Sequence, residues 1–343
     1  MKAVQIVKPG DLRIIDMEKP VLSGEVNVLV RMTAAGICGS DMGIYHGTNA
    51  AATYPRVIGH EIVGVVEQVL DSAAKVKVGD RVIIDQVTAC GHCYACRKGR
   101  PNVCGNLRVR GVHIDGGYRE YIAVNDSDCY LLPDNVSDVD AVLIEPTTIA
   151  VQCCSRAQLE SEDTVLIIGC GALGTRILSI VKLYNPRAII VADIDDAKLA
   201  EAKASGATHT INSRSEDVAA RAHELTDGYG PTVVIDAACV KGSLLSALNA
   251  AGNAGRVITM GFSVAPDEVN QFVITSKELD VRGSRLQNRK FQDVIDLVKA
   301  GKVDITGGVS HTFDFRDAQK AFDFVDSRDP SIRKVVLTFP KKA

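Results

Sequence analysis

The first 149 residues read as short β-like runs broken by Gly, Pro or Asp, the first of them alternating apolar and polar positions. Met1 to Lys8 alternates this way up to the turn at Pro9-Gly10, and Val26 to Met32, Ile62 to Val69, Arg81 to Ile84 and Tyr118 to Val124 continue the texture. Alternation of this kind predicts half-buried strands, so this region reads as a mostly β, barrel-like domain. From Thr164 the pattern changes. Thr164 to Ile168, Ala188 to Asp193, Val233 to Asp236 and Arg256 to Gly261 are apolar runs that alternate with glycine turns and helical stretches, the first of them Thr175 to Leu183. Strands buried on both faces and separated by helices predict a parallel sheet covered on both sides. The alternation stops near Gly283. The last stretch, about 60 residues, holds a helix at Lys290 to Ala300 and strand-like pieces, too little for a third domain, and is expected to return to the first. The prediction is an α/β chain of two domains: residues 1–149 with 285–343, mostly β, and residues 150–284, a doubly wound parallel sheet.

Composition narrows the class of protein. The 343 residues carry a formal net charge of -3, which makes neither nucleic acid nor an anionic membrane an expected partner. No apolar run approaches the length of a membrane span, and the alternating start lacks the unbroken apolar stretch of a signal peptide. The expected location is therefore the cytoplasm, where ten cysteines bind metal or stay free more often than they pair.

Four of those cysteines fall close together. Cys90, Cys93, Cys96 and Cys104 have the spacing C-x2-C-x2-C-x7-C within a lobe at residues 88–106. Chance would put roughly 0.4 cysteines in such a window, so the grouping points to metal. Four thiolates complete a tetrahedron around zinc and leave no position for substrate, which makes this a structural site. An iron-sulfur cluster is the competing reading, but the spacing matches neither common ferredoxin pattern. A second, looser group consists of Cys38 and Gly59-His60-Glu61, joined by Glu145 in an apolar stretch where an unpaired carboxylate is costly. Three such ligands with one open position suit a catalytic zinc. Cys153 and Cys154 compete with Glu145 for the remaining place. His60 alone reads equally as a structural histidine, and Glu61 as one half of a salt bridge.

Gly169-Cys170-Gly171-Ala172-Leu173-Gly174 fits G-x-G-x-x-G between an apolar strand and a helix. Gly169, Gly171, Ala172, Leu173 and Gly174 would let backbone amides approach a pyrophosphate at the helix N-terminus. Asp193 ends the next strand 19 residues after Gly174, where a carboxylate accepts hydrogen bonds from ribose hydroxyls and repels a 2′-phosphate. With Asp195 and Asp196 following and no Arg beside them, the expected cofactor is NAD.

Taken in order, Gly36 to Asp41, Gly59-His60-Glu61, the cysteine lobe, the glycine loop, Asp193 and Gly283-Ser284 make the whole chain resemble the zinc-containing medium-chain dehydrogenases. Tyr54 to Glu61, Gly111 to Gly117, Ile144-Glu145-Pro146, Ser284-Arg285 and His311-Thr312-Phe313 are most similar to its polyol and sugar-acid branch. That branch includes sorbitol, threonine and L-gulonate or L-galactonate 5-dehydrogenases and an oxidoreductase named for starvation sensing. The resemblance implies a GroES-like catalytic domain around a Rossmann domain, and two zinc ions per chain, one catalytic and one structural. It also implies a homodimer or homotetramer. Carried over, it makes Cys38 and His60 ligands of the catalytic zinc, and Glu61 and Glu145 ligands or close partners of its water. Ser40 would pass the substrate proton outward and Asp41 would orient His60. Many relatives carry a His three residues after the Ser where this chain has Gly43, so His46, the cofactor ribose or water would have to complete the path.

The expected reaction is hydride transfer from a secondary hydroxyl of a sugar acid to NAD, with a polyol or threonine as alternative substrate. Arg285 is the candidate for the substrate carboxylate, and Tyr45, His113 and Tyr118 are further pocket candidates. A zinc-free quinone reductase would explain the glycine loop but not Cys38, His60 and the cysteine lobe. A non-catalytic nucleotide sensor would be expected to have lost some of them.

Overall fold

The computed structural model describes residues 1–24, 26–71, 74–262 and 264–340. It forms two compact units, Met1–Glu145 with Phe291–Ala343, and Pro146–Lys290.

The first unit is built around the strand Val28–Gly36. It pairs antiparallel with Glu61–Val69, Tyr121–Val124 and Val335–Thr338 in a seven-stranded sheet, and Lys2–Lys8, Asp11–Asp16 and Arg56–Val57 form a smaller sheet. The alternation at Val26 to Met32 underestimates the central strand, which runs on through Ala34-Ala35-Gly36. Such residues have weak strand propensity, but Ala34 and Ala35 are completely buried and are held by ladders on both sides. Register matters here: Gly36 lies opposite both Glu61 and Val336. One end of the sheet therefore gathers the residues that follow Gly36, precede Ile62 and precede Val335, although they are far apart in sequence.

The second unit is a six-stranded, all-parallel sheet. Numbered in chain order, the strands Thr164–Ile168, Ala188–Asp193, His209–Asn212, Val233–Asp236, Arg256–Thr259 and Asp280–Gly283 lie in the order 3-2-1-4-5-6. This is the doubly wound arrangement whose first strand-to-helix turn receives a dinucleotide. Leu166, Ile190, Val234 and Val257 are fully buried in its core with Ala247 and Leu248 of the helix Ser243–Ala250. The helix expected from Thr175 starts earlier, at Ala172, and ends at Val181 in a turn of 3-10 helix over Lys182–Tyr184. Among the described residues no helix is long and apolar enough to cross a membrane.

Candidate metal centres and cofactor site

In the lobe, the helix Tyr94–Arg97 and the turn Pro101–Val103 bring the four thiols together, with all four sulfur atoms within 4.8 Å of one another. Cys93 Sγ lies 3.5 Å from Cys96 Sγ and 3.8 Å from Cys104 Sγ, and Cys104 Sγ lies 3.4 Å from Cys90 Sγ. A tetrahedron with the usual zinc–sulfur arms has edges of about 3.8 Å, so the group fits a closed zinc site. The amides of Cys96 and Gly105 point at Cys93 and pull its thiol down to about 6, which readies it as a thiolate ligand. Replacing Cys96 with Ser is expected to cost the chain the lobe's zinc and lower its melting temperature. Metal content by elemental analysis and a thermal scan read both.

The second cluster forms at the end of the central sheet. Cys38 stands at the start of the helix Gly39–Tyr45, where its amide donates to Asp41 Oδ2 at 2.9 Å. His60 and Glu61 open the strand Glu61–Val69, and with Cys38 they offer one ligand atom each within 4.8 Å of one another. The turn before them requires glycine. Gly59 has φ +96°, and a Cβ there would lie 2.0 Å from Tyr118 Cδ1. Around the cluster, His60 Nδ1 faces Asp41 Oδ1 at 3.6 Å and His60 Nε2 lies 3.4 Å from Ser40 Oγ. Burial pushes the imidazole down, but the charges of Asp41 and Cys38 lift it on balance well above its ordinary value. His60 Nδ1 and Asp41 Oδ1 are buried and, at 3.6 Å, too far apart for a hydrogen bond, while Glu61 Oε2 faces the ammonium of Lys334. A thiol, an imidazole and a carboxylate converging in this way fit a metal ion better than a closed protein core.

Two residues that sequence reasoning missed complete this site. Lys334, just before the last strand, is 8% exposed and pairs with both carboxylate oxygens of Glu61, at 2.5 Å from Oε1. A Cβ at Gly36 would sit 2.0 Å from Glu61 Oε2 and 2.8 Å from Lys334 Cε, so the pair packs directly on that glycine. The second is Gln86. It is completely buried and donates from Nε2 to Glu145 Oε1 at 2.5 Å. Glu145 lies in the first turn of the helix Ile144–Ala157, outside the 4.8 Å group but within electrostatic reach of His60, Glu61 and Lys334. Burial pushes its carboxyl up to about 8, and the charge of Glu61 adds to the rise while His60 and Lys334 oppose it. Cys153 and Cys154, the competing ligands, are fully buried further along that helix and belong to neither cluster.

The pocket candidates separate. Tyr118 is a correction: it is completely buried and cannot touch substrate. Its hydroxyl donates to Gly36 O at 2.8 Å and to Asp41 Oδ2 at 3.1 Å, so it props the carboxylate that faces His60. Tyr45 packs edge-on against Phe322 and accepts a hydrogen bond from Gln319 Nε2 at 3.1 Å. The ring nitrogen Nδ1 of His113 accepts from the Val109 amide at 3.1 Å. His46 is exposed and bonded to Asp326 Oδ1 at 2.8 Å. Arg285, in the second unit, lays its guanidinium over the ring of Phe262, 5.0 Å from the centroid.

In that unit the glycine loop has three glycines with three different reasons. Gly169 has φ +93° and lies against the backbone of Ala238, and a Cβ on Gly174 would lie 2.0 Å from Gly169 O. Gly171 stands at the N-cap of the helix Ala172–Val181, and a Cβ there would meet nothing within 4 Å. The space in front of Gly171, with Ala172 and Leu173 opening the helix behind it, suits a phosphate. Asp193 accepts from the loop amide of Cys170 at 2.6 Å and from the amide of Asp195 at 3.1 Å, so its carboxylate is tied to the loop. Gly174→Ala is therefore expected to disturb the fold of the unit. Gly171→Ala should leave melting unchanged while weakening NAD binding by about tenfold or more, since a methyl group would occupy the approach to the helix N-terminus. Calorimetric titration with NAD beside a thermal scan distinguishes them.

A parallel sheet of this order, in one chain with a closed four-thiol cluster and an open Cys-His-Glu cluster, defines a metal-dependent dehydrogenase. The chain belongs to the zinc-type alcohol dehydrogenase family, the zinc-containing medium-chain dehydrogenases. Residues 24–134 match the alcohol dehydrogenase GroES-like domain and residues 172–300 the zinc-binding dehydrogenase domain. It is 44% identical over 341 residues to the starvation-sensing protein RspB of Escherichia coli K12, covering 99% of both chains. The structure is similar to that of the rspB alcohol dehydrogenase of E. coli CFT073 complexed with NADH, with a TM-score of 0.91, 43% identity and 99% of each chain covered. It is also 30% identical over 310 residues to L-idonate 5-dehydrogenase of Vitis vinifera, covering 88% of this chain and 85% of that one.

Proposed function

We propose that this dehydrogenase oxidises a secondary hydroxyl of a sugar acid, with NAD as acceptor and zinc held by Cys38, His60 and Glu61. The observation that carries the reading is the convergence of those three donors, one ligand atom from each, within 4.8 Å of one another. Held there, zinc would supply the Lewis acidity that makes a hydroxyl ionisable near neutral pH, and the nicotinamide would supply the hydride acceptor. Ser40, 3.4 Å from His60, takes the hydroxyl proton. Asp41 holds the far side of His60 and is itself held by Tyr118 and the amide of Cys38. With Gly43 in place of a relay histidine and His46 engaged by Asp326, the proton passes from Ser40 to water or to the cofactor ribose. NAD is favoured over NADP because Asp193 carries negative charge where a 2′-phosphate would lie, and Ile194 beside it is exposed and uncharged. The relative complexed with NADH supports the same choice. The assembly proposed with this function is a cytoplasmic homodimer or homotetramer, as in the branch it resembles.

The sugar acid is inferred from Arg285, a fork suited to a carboxylate, and from the likeness to L-idonate 5-dehydrogenase. An NAD-reduction screen across stereoisomeric hexonates and the matching polyols tests it. Turnover should favour a hexonate, and Arg285→Ala should raise its KM by about tenfold to a hundredfold while leaving the polyol KM unchanged. Equal use of polyols, with Arg285→Ala neutral, would reassign the substrate to a polyol.

A further inference from the structure

The chain carries two carboxylates at the second cluster and partners them differently. Glu61 faces the cation of Lys334, while Glu145 Oε1 receives the neutral amide of Gln86. Gln86 is unusually well fixed for a polar side chain. It follows the strand Arg81–Ile84 and precedes Val87–Thr88, and its carbonyl accepts from the amide of Arg110 at 3.0 Å. On either side, the amide of Asp85 donates to Asp128 O at 2.8 Å, and the amide of Val87 donates to Asp85 Oδ1 at 2.8 Å. A fully buried amide with a pinned backbone has few rotamers to choose from. Its bond to Glu145 Oε1 thus restrains the rotation of that carboxylate. Among the described residues, Gln86 Oε1 is buried without a hydrogen-bond partner.

We infer that Gln86 is a positioning residue: by holding Glu145 Oε1 it orients the Glu145 carboxylate toward the metal cluster and tunes how firmly the cluster holds zinc. The inference rests on the proposed catalytic zinc at Cys38, His60 and Glu61. Groups that orient a metal's surroundings in this way change affinity or activity by about 10- to 100-fold when removed.

The test uses the full chain and a readout separate from turnover. Gln86→Met keeps the volume and removes the donor. Zinc affinity of the second cluster, measured by chelator competition with the lobe zinc retained, is expected to fall about 10- to 100-fold, and the visible absorption of the cobalt-substituted chain to shift. In a Glu145→Gln background the same change should alter affinity by less than about twofold, because the residue acts through that carboxylate. Gln86→Asn, which withdraws the amide by one carbon, should move affinity in the same direction and keeps the test open if Gln86→Met does not fold. Unchanged affinity and cobalt spectrum in the folded variants would overturn the role, as would an undiminished effect in the Glu145→Gln background. If the parent chain retains all its zinc when Cys38 is replaced, the catalytic-zinc reading fails first, and the role of Gln86 fails with it.

Discussion

Replacing Cys38 or His60 with Ala should remove zinc from the second cluster only and lower turnover by on the order of 10⁴-fold or more, while NAD still binds. The size follows from what the metal supplies. A free hydroxyl ionises near pH 16, and without Lewis acidity its ionised fraction near pH 7 is negligible, so hydride has no electron-rich carbon to leave. NAD binding survives because the glycine loop and Asp193 belong to the other compact unit, Pro146–Lys290. The two substitutions should agree in metal loss but differ in stability. The charges of Asp41 and Cys38 favour the protonated imidazole of His60 in the metal-free chain against the opposing effect of burial, so His60→Ala also removes the group that faces the buried Asp41 carboxylate, whereas Cys38→Ala does not. Elemental analysis, calorimetric NAD titration and steady-state rates read the three quantities. Full turnover in either variant, with zinc absent from the cluster, would sink the metal-dependent reading.

How much of this was legible in the sequence depends on how far apart the cooperating residues lie. The thiol lobe spans 15 residues and the glycine loop six, so their spacing carries the chemistry within one window. The doubly wound unit was legible too, because each strand, turn and helix announces itself by a change of period. The surroundings of the second cluster were not. Lys334 stands 273 residues from Glu61, and only the antiparallel register that sets Gly36 opposite both Glu61 and Val336 joins them. In a single sequence, Lys334 is one cation at the start of an apolar run. Gln86 meets Glu145 across 59 residues in the same way. Tyr118 was misjudged for a different reason. The contact that decides its direction is made by Gly59, far away in sequence, whose missing side chain leaves room for the ring.

The second large effect is expected at Lys334. Its ion pair with Glu61 is almost entirely shielded from water, Glu61 being 1% exposed, so bulk screening does little to soften the loss of one partner. Lys334→Met fills the same space without charge and leaves the carboxylate buried beside nothing but the metal site. Breaking such a pair destabilises by about 3–5 kcal/mol. The metal-free chain should show that loss as a lower urea midpoint. With zinc bound at the cluster the deficit should shrink, because a second cation then faces Glu61 and takes over part of the role of Lys334. Linkage makes the converse hold as well: whatever part of the deficit zinc restores must appear as tighter zinc binding by the variant than by the parent. Adding Glu61→Gln to Lys334→Met removes the stranded charge and should recover most of the metal-free stability, while weakening the metal site by the loss of a ligand. If Lys334→Met unfolds at the same urea concentration as the parent in both states, the ion pair carries no stability and Lys334 merely fills space against Gly36.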